Sequence, residues 1–357
     1  MKTLYICIIL LLIIFGALFF YKNNDCAEQF KSINKYKFIS NNELYLHNDF
    51  GNIIKEPYQV DNIKEYIEGF ETNIYKENFT QEQTPKLLPK TNTPRYVWSY
   101  WENKEDRQEP YAHIKLCFET MKKHYNKYNF IILNESTIKH YLPNLRSNLN
   151  DLMIAQKVDY YRVALLEKYG GVWVDADTIV LKNLDEVFDK LDNGYDYVGF
   201  GCTGKICVNG YPDPSNGVMA SRKNGRLIQC CLKKLNNMLD AKNKNYKYFD
   251  LGKNVIWKCK DELTDYDYFH FSSEYDGSRD EQGKWVHTPN HLSEIPTKLL
   301  DENKAFFIFL ANYELMNNED NKWFLNLNQE QILNGKMWIS SLYRKALNTV
   351  SLCKLGR

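Results

Sequence analysis

The chain carries no excess of charge of one sign. Its 46 Lys and Arg against 45 Asp and Glu leave a formal net charge of +1. The lysine-rich stretches alternate with acidic residues and build no basic face, so polyanion binding is not indicated and no nucleic-acid partner is expected. Nine cysteines contain no C-x-x-C pair, which sets aside a structural zinc site of the usual spacing. No internal repeat is evident. Cys7 lies in an apolar N-terminal run, leaving eight cysteines. That even number permits disulfides: Cys202 and Cys207 would close a short loop in an oxidising compartment, while free buried thiols suit a reducing one.

What is present suits a full globular domain. With 357 residues, 44% hydrophobic and 25% charged, the chain buries a complete core as one large or two modest domains. Aromatic residues make up 15%, including 26 Tyr, enough to pad a core and also to stack against nucleobases or sugars. From Leu4 to Phe20 the side chains are apolar or small, flanked by Lys2 and Lys22. That length is near the roughly 17–25 residues that span a bilayer. The run ends in Leu18, Phe19, Phe20 and Tyr21 with no small-x-small cleavage site, so residues 1–22 read as an uncleaved signal anchor. Lysine on both flanks leaves its orientation open by charge. The short N-terminal tail fits a single-pass type II arrangement with a lumenal catalytic domain. The sequons Asn78-Phe79-Thr80 and Asn134-Glu135-Ser136 are compatible with that side. Residues 23–90 are rich in Asn, Lys, Glu and Tyr and read as a stem, which leaves 91–350 for the catalytic domain.

From Arg95 the pattern changes. Arg95 to Trp101 is aromatic and β-branched and reads as a strand, Ile114 to His124 as a helix, and Asn129 to Leu133 as a short apolar strand. Ser136 to Tyr141 gives a short helix, Asp151 to Tyr169 a long one ended by Gly170, and Gly171 to Val174 a strand with no polar residue. Strands apolar throughout belong in a sheet covered on both faces. The fold class is therefore α/β, with a mostly parallel central sheet flanked by helices. Further on, Tyr195 to Val198 and Ala305 to Leu310 read as strands, and Gly225 to Leu239 and Gln329 to Leu347 as helices.

Ligands of such sheets bind beyond the carboxyl ends of the strands, where Val174 runs into Asp175-Ala176-Asp177. Carboxylates at i and i+2 point to the same side of an extended chain. They repel each other and resist desolvation unless a cation lies between them. Mn2+ or Mg2+, with oxygen ligands and open positions for phosphate, is the natural partner, and Ala176 leaves room for the approach. On the preceding helix Asp159 and Arg162, at i and i+3, share one face. As an exposed pair they would contribute about 0–1 kcal/mol. Near the sheet mouth Arg162 can hold a diphosphate or orient the first carboxylate, and Asp159 can accept from a ribose hydroxyl. A second D-x-D, Asp265-Tyr266-Asp267, has no buried strand before it and reads as a solvated loop. Gly199-Phe200-Gly201-Cys202-Thr203-Gly204 matches G-x-G-x-x-G, but the residues after it hold prolines and turns where a dinucleotide site needs a helix.

The spaced set Asp159, Arg162, Leu166, Gly170, Gly171, Asp175 and Asp177 resembles the DXD-motif sugar-binding-region glycosyltransferases, which include capsular polysaccharide synthesis proteins and yeast-type initiating mannosyltransferases. Val97 to Trp101 followed by Leu116 to His124 is similar to the opening strand and helix of the capsular branch, so the likeness covers about 94–220. The resemblance implies a GT-A fold and transfer of a hexose from a UDP- or GDP-sugar to a glycan or glycoconjugate hydroxyl, with retention as in relatives. It implies Asp175 and Asp177 as metal and donor ligands, Asp159 and Arg162 as a supporting pair, and Asn216 and Gly217 facing the donor. Trp98 is either a platform near the base or ordinary core. Lys157 and Val158 depart from the small or polar residues of relatives. Some GT-A enzymes use a late His as a further metal ligand, for which His270, His287 and His291 are the candidates. An inactive, membrane-tethered carbohydrate-binding protein of the same fold and a NAD-dependent oxidoreductase are the competing functions.

Overall fold

The structure, a computed structural model, describes residues 92–103, 109–202, 213–241, 245–263 and 267–349. The expected anchor, the stem, Asn78 and Cys207 lie outside them. Among the described residues no helix is long and apolar enough to cross a membrane.

The strands are β1 (Tyr96–Tyr100), β2 (Asn129–Leu133), β3 (Gly171–Val174), β4 (Thr178–Val180), β5 (Tyr197–Cys202), β6 (Asp213–Ser221), β7 (Tyr268–Phe271) and β8 (Phe307–Phe309). Six form one sheet in the order β2-β1-β3-β6-β5-β7, and β4 pairs with β8 in a small second sheet. In the main sheet β1 is parallel to β2 and β3, and β5 is parallel to β7. Only β6 runs against its neighbours, β3 and β5. The mostly parallel sheet expected from sequence is what the chain forms. β6 reverses because it returns directly beside β5, and an antiparallel return needs no crossover helix. That return also removes the dinucleotide reading. Gly199 and Gly201 lie within β5, with a register irregularity between them, and the next described element is a strand.

Helices of six or more residues are α1 (Ala112–His124), α2 (Ile154–Tyr169), α3 (Asp185–Asp192), α4 (Arg226–Asp240), α5 (Lys253–Glu262), α6 (Asn312–Asn317), α7 (Gln329–Asn334) and α8 (Trp338–Leu347). Strand alternation divides the sheet residues between two faces. Val97, Val172, Val174 and Val198 pack with Ile114, Phe118 and Met121 of α1 and with Val187, Phe188 and Leu191 of α3. Trp98, Trp173, Tyr197 and Met219 pack with α2 and α4. Each fully buried side chain of this kind contributes about 1.5–3 kcal/mol, whereas an exposed ion pair contributes about 0–1 kcal/mol. The two apolar faces therefore fix where the flanking helices sit, and rim pairs such as Arg95–Asp192 do not. A third cluster joins Ile179 and Ile308 of the small sheet to Trp338 and Leu342 of α8.

Several boundaries differ from the sequence reading for local reasons. α2 starts at Ile154 because Ser147–Asp151 forms a 3-10 turn and Leu152 and Met153 are extended. The single helix expected over Gln329 to Leu347 is broken at Gly335, which is extended at φ −62 and ψ 160. A Cβ at Gly335 would meet Ser340 Oγ at 2.7 Å, so the two short helices approach closely there. Asp267 is no solvated loop residue: it is 5% exposed, and its carbonyl accepts from the N–H groups of Asp196 and Tyr197 at the head of β7. The disulfide among the described residues is Cys230–Cys259, tying α4 to α5 with Cα atoms 5.8 Å apart. Cys117 and Cys231 are free and buried.

Candidate active site

Two glycines deliver the aspartates to the end of β3. The Gly170 N–H closes α2 on the Leu166 carbonyl at 2.9 Å. Gly170 and Gly171 then take φ of +71 and +98, a region that only glycine enters freely. A Cβ on Gly171 would lie 2.4 Å from the Tyr96 carbonyl oxygen, so β3 can pair beside β1 only without one. Trp173 and Asp175, two apart on an extended chain, face α2 together. The Trp173 Nε1–H donates to Asp175 Oδ1 at 2.7 Å.

Arg162 reaches the same point from α2. Its Nη1 lies 3.2 Å from Asp175 Oδ1 and its Nη2 3.3 Å from Asp159 Oδ1. The guanidinium also donates to the Asn216 carbonyl and sits over the Trp173 ring at 5.2 Å. Asp159 accepts from the Asn216 side-chain amide at 3.0 Å. β3 and β6 are locked together at the same level, since the Asp175 N–H donates to the Gly217 carbonyl at 2.8 Å. Asp177 is braced from a distant part of the chain: the Asn312 N–H donates to its Oδ2 at 3.1 Å, and the Leu310 N–H donates to its carbonyl at 2.9 Å.

The expected site residues thus divide into two groups. Asp159, Arg162, Asp175 and Asn216 form one bonded network, with Gly217 and Asp177 at its edge. Asp159 and Arg162 are 4% and 5% exposed, whereas the Asp175 side chain keeps 28% exposure and Asp177 is half-buried. Arg162 spends its hydrogen bonds inside the network, so it orients the first carboxylate. Two expected donor contacts are corrected. Trp98 is fully buried, stacked on Tyr96 at 4.8 Å, and donates its indole N–H to the Gly170 carbonyl at 3.0 Å; it is core. Ala176 turns into the opposite apolar cluster and is buried, so its side chain offers nothing to a ligand on the aspartate side. Lys157, off-pattern by resemblance, has a local role: its ammonium lies 3.3 Å from Glu102.

The electrostatics are those of an acidic cluster short of positive charge. Burial pushes Asp159 up to about 7, against the pull of Arg162. Burial and the neighbouring Asp175 charge push Asp177 up to about 7, with the Asn312 N–H opposing. Burial raises Asp175 as well, opposed by Arg162 and Trp173. Three carboxylates share one guanidinium, and that imbalance suits a divalent cation with hard oxygen ligands. Among the described residues no group of three or more His, Cys, Asp or Glu is arranged to hold a metal. A cation here would take Asp175 and Asp177 and complete its shell with water or phosphate oxygens, as Mg2+ commonly does. Two of the three late histidines are engaged elsewhere: His291 is buried against Trp338 at 5.4 Å, and His270 bonds to the Tyr268 hydroxyl; His287 lies in the lining of a separate cavity.

Three neighbours had no sequence signal. Asn312 is brought in by the β4–β8 pairing, 135 positions from Asp177. The Tyr248 hydroxyl lies within the field of Asp177, Asp159 and Asp175, which with burial raises its pKa. Gly252 lies against the network: a Cβ there would meet Asn216 Nδ2 at 2.5 Å and the Asp159 carboxylate oxygens at 2.6 and 2.7 Å. Gly252→Ala is therefore expected to destabilise the chain by about 1–3 kcal/mol through overpacking. It should also displace the Asn216–Asp159 contact, which denaturant unfolding together with any metal-dependent nucleotide binding would reveal. A fully stable, fully active variant would contradict this packing.

A family model described as capsular polysaccharide synthesis protein matches residues 41–267, beginning inside the segment that the sequence suggests is a stem. No curated protein matches the sequence. Among solved structures, the PaToxG glycosyltransferase is 16% identical, with 73% of this chain and 88% of that chain covered and a TM-score of 0.35. The glycosyltransferase GlyE of Streptococcus pneumoniae TIGR4 is 16% identical, with 51% and 46% covered and a TM-score of 0.34. A glycosyltransferase involved in glycosylation of the major capsid of PBCV-1 is 12% identical, with 66% and 100% covered and a TM-score of 0.37. Scores of this size do not establish a common fold.

Proposed function

This chain belongs to the capsular polysaccharide synthesis protein family, and from that premise we propose that it is a metal-dependent glycosyltransferase. It moves a hexose from a UDP- or GDP-sugar to a hydroxyl of a glycan or glycoconjugate, with retention of configuration, on a GT-A type fold. The observation that carries the reading is the Asp175 and Asp177 pair at the carboxyl end of β3, short of positive charge and braced from three sides.

The difficult step in such a transfer is departure of a nucleoside diphosphate from the anomeric carbon. A divalent ion held by Asp175 and Asp177 supplies charge neutralisation on that leaving group. The chain's own contribution is to fix those carboxylates. Arg162 and the Trp173 N–H hold Asp175 in one orientation, and the Asn312 N–H holds Asp177. Asp159 keeps Arg162 in place and, through the Asn216 side chain, sets the position of β6 beside the pocket. Asp159, Arg162 and Asn216 are therefore positioning residues in this reading, and the Gly217 backbone is the part of β6 nearest the donor.

The proposal extends to an N-terminal membrane anchor over residues 1–22 and a lumenal, type II orientation. The Cys230–Cys259 disulfide supports an oxidising compartment for the domain. The test is thermal unfolding with UDP, GDP and NAD, each with and without manganese. Ligand at 100 times its dissociation constant stabilises a fold by about 2.7 kcal/mol, a shift of several degrees. Stabilisation by UDP or GDP only when manganese is present is the expected result. Stabilisation by NAD, or by nucleotide with no dependence on metal, would sink the reading.

A further inference from the structure

A second feature lies beside the segment that braces Asp177. A cavity of about 160 Å³ is lined by Gly277, Ser278, Trp285 to Thr288, His291, Phe309 to Ala311 and Glu314. This is well below the roughly 300–1,000 Å³ of pockets that hold drug-sized ligands, so it suits one sugar ring and not a nucleoside diphosphate. We infer that this cavity binds a neutral monosaccharide unit of the acceptor. The term acceptor rests on the transferase reading above, while the sugar site rests on the cavity itself.

Trp285 provides the apolar platform. It is 40% exposed, yet it is held firmly, with the Arg279 guanidinium 3.6 Å from its ring centroid. Arg279 is 4% exposed and donates to the Gly283 carbonyl at 3.1 Å. The turn beneath is closed by the Val286 N–H on the Ser278 carbonyl and the Asp280 N–H on the Lys284 carbonyl, both at 2.9 Å. An exposed indole held in this way loses little freedom on binding, which favours stacking of a ligand face against it.

Polar groups converge on the same space. His291 is 3% exposed, and its Nε2 finds no hydrogen-bond partner within the protein. His291 is also part of the cavity wall; a buried polar atom without a partner calls for one, and a sugar hydroxyl can donate or accept as the ring requires. Burial holds that imidazole neutral, with its pKa pushed down to about 3. Glu314, 5% exposed, accepts from the Thr288 N–H at 3.4 Å and is the one acidic or basic side chain, histidines aside, in the lining. A neutral sugar meets hydroxyl partners there, whereas a uronic or sialic acid meets repulsion.

The cavity is also placed for transfer. Its wall at Phe309 to Ala311 includes Leu310 and adjoins Asn312, whose N–H groups bond Asp177. The Phe309 ring lies 2.9 Å from where a Cβ on Gly217 would stand, and Asp175 Oδ2 lies 3.3 Å from that same point. Phe309 thus lines the cavity and also stands against Gly217, beside Asp175.

Saturation-transfer NMR on the full chain, without nucleotide or metal, tests this with methyl glucoside, methyl galactoside, N-acetylglucosamine and glucuronate. At least one neutral sugar should bind, and glucuronate should bind at least tenfold more weakly. Trp285→Ala should weaken the neutral sugar at least tenfold, Trp285→Phe should retain most of the binding, and Glu314→Gln should narrow the gap to glucuronate. Binding unchanged in Trp285→Ala, glucuronate bound as well as the neutral sugars, or no sugar bound would overturn the proposal. Because no donor is present, failure of metal-dependent nucleotide binding would not mimic any of these outcomes.

Discussion

Replacing Arg162 with methionine is expected to cost about 3–5 kcal/mol of stability, the penalty for leaving a buried ion network without its cation. Arg162 is 5% exposed and Asp159 4%, so water cannot take over the lost partner. Methionine preserves the aliphatic stem beside Trp173, so the change removes the charge and the guanidinium's hydrogen bonds, including that to the Asn216 carbonyl. The loss should grow with pH. Asp159 ionises at about 7 in the folded chain and near 3.9 when unfolded. The folded state therefore binds more protons between those values, and stability from this group is lost as pH rises through that window. Without Arg162 the folded value moves higher and the loss continues past neutrality. Urea unfolding at pH 5.5 and pH 8 should show the gap between variant and wild type widening. Adding Asp159→Asn should recover part of the stability without restoring nucleotide binding. A pH-independent gap would refute the buried-charge account.

Asp177→Asn is expected to lower transfer and metal-dependent nucleotide binding by on the order of 10²–10³-fold, the size of effect seen when one charge-stabilising group is removed from a reaction centre. The same variant should make the metal-free chain more stable. Asparagine keeps an oxygen for the Asn312 N–H, while it removes a carboxylate raised to about 7 by burial and by Asp175. A carboxylate with a raised folded pKa weakens the fold as pH climbs from about 4 through 7. The gain should therefore appear at pH 8 and shrink at pH 5. Activity within tenfold of wild type would show that Asp177 does not hold the cation, and a variant less stable at pH 8 would contradict the raised pKa of its carboxylate.

The Asp175 and Asp177 pair was legible because its signal is local. An apolar four-residue strand, a glycine pair and two carboxylates two apart are all encoded within the eight consecutive positions 170–177, and the i, i+3 pair lies two to three helical turns further back. Trp98 stayed open between platform and core for the opposite reason. A tryptophan on a strand has the same composition whether its face is open or covered, and only the arrival of Tyr141 and Tyr169 against it makes it core. Gly335 shows the same limit for helices, since its role depends on the approach of Ser340.

Side-chain periodicity and the fixed geometry of neighbouring residues determined the α/β class, the order of the early elements and which two aspartates end the central strand, because covalent spacing alone decides which side chains share a face. Tertiary structure decided the rest. It placed Asn312 on Asp177, Gly252 against Asp159 and Asn216, Cys230 beside Cys259, and the cavity under Trp285. Each of these depends on how elements distant in sequence pack, and the apolar burial that drives such packing is non-directional, so no local pattern specifies the partner.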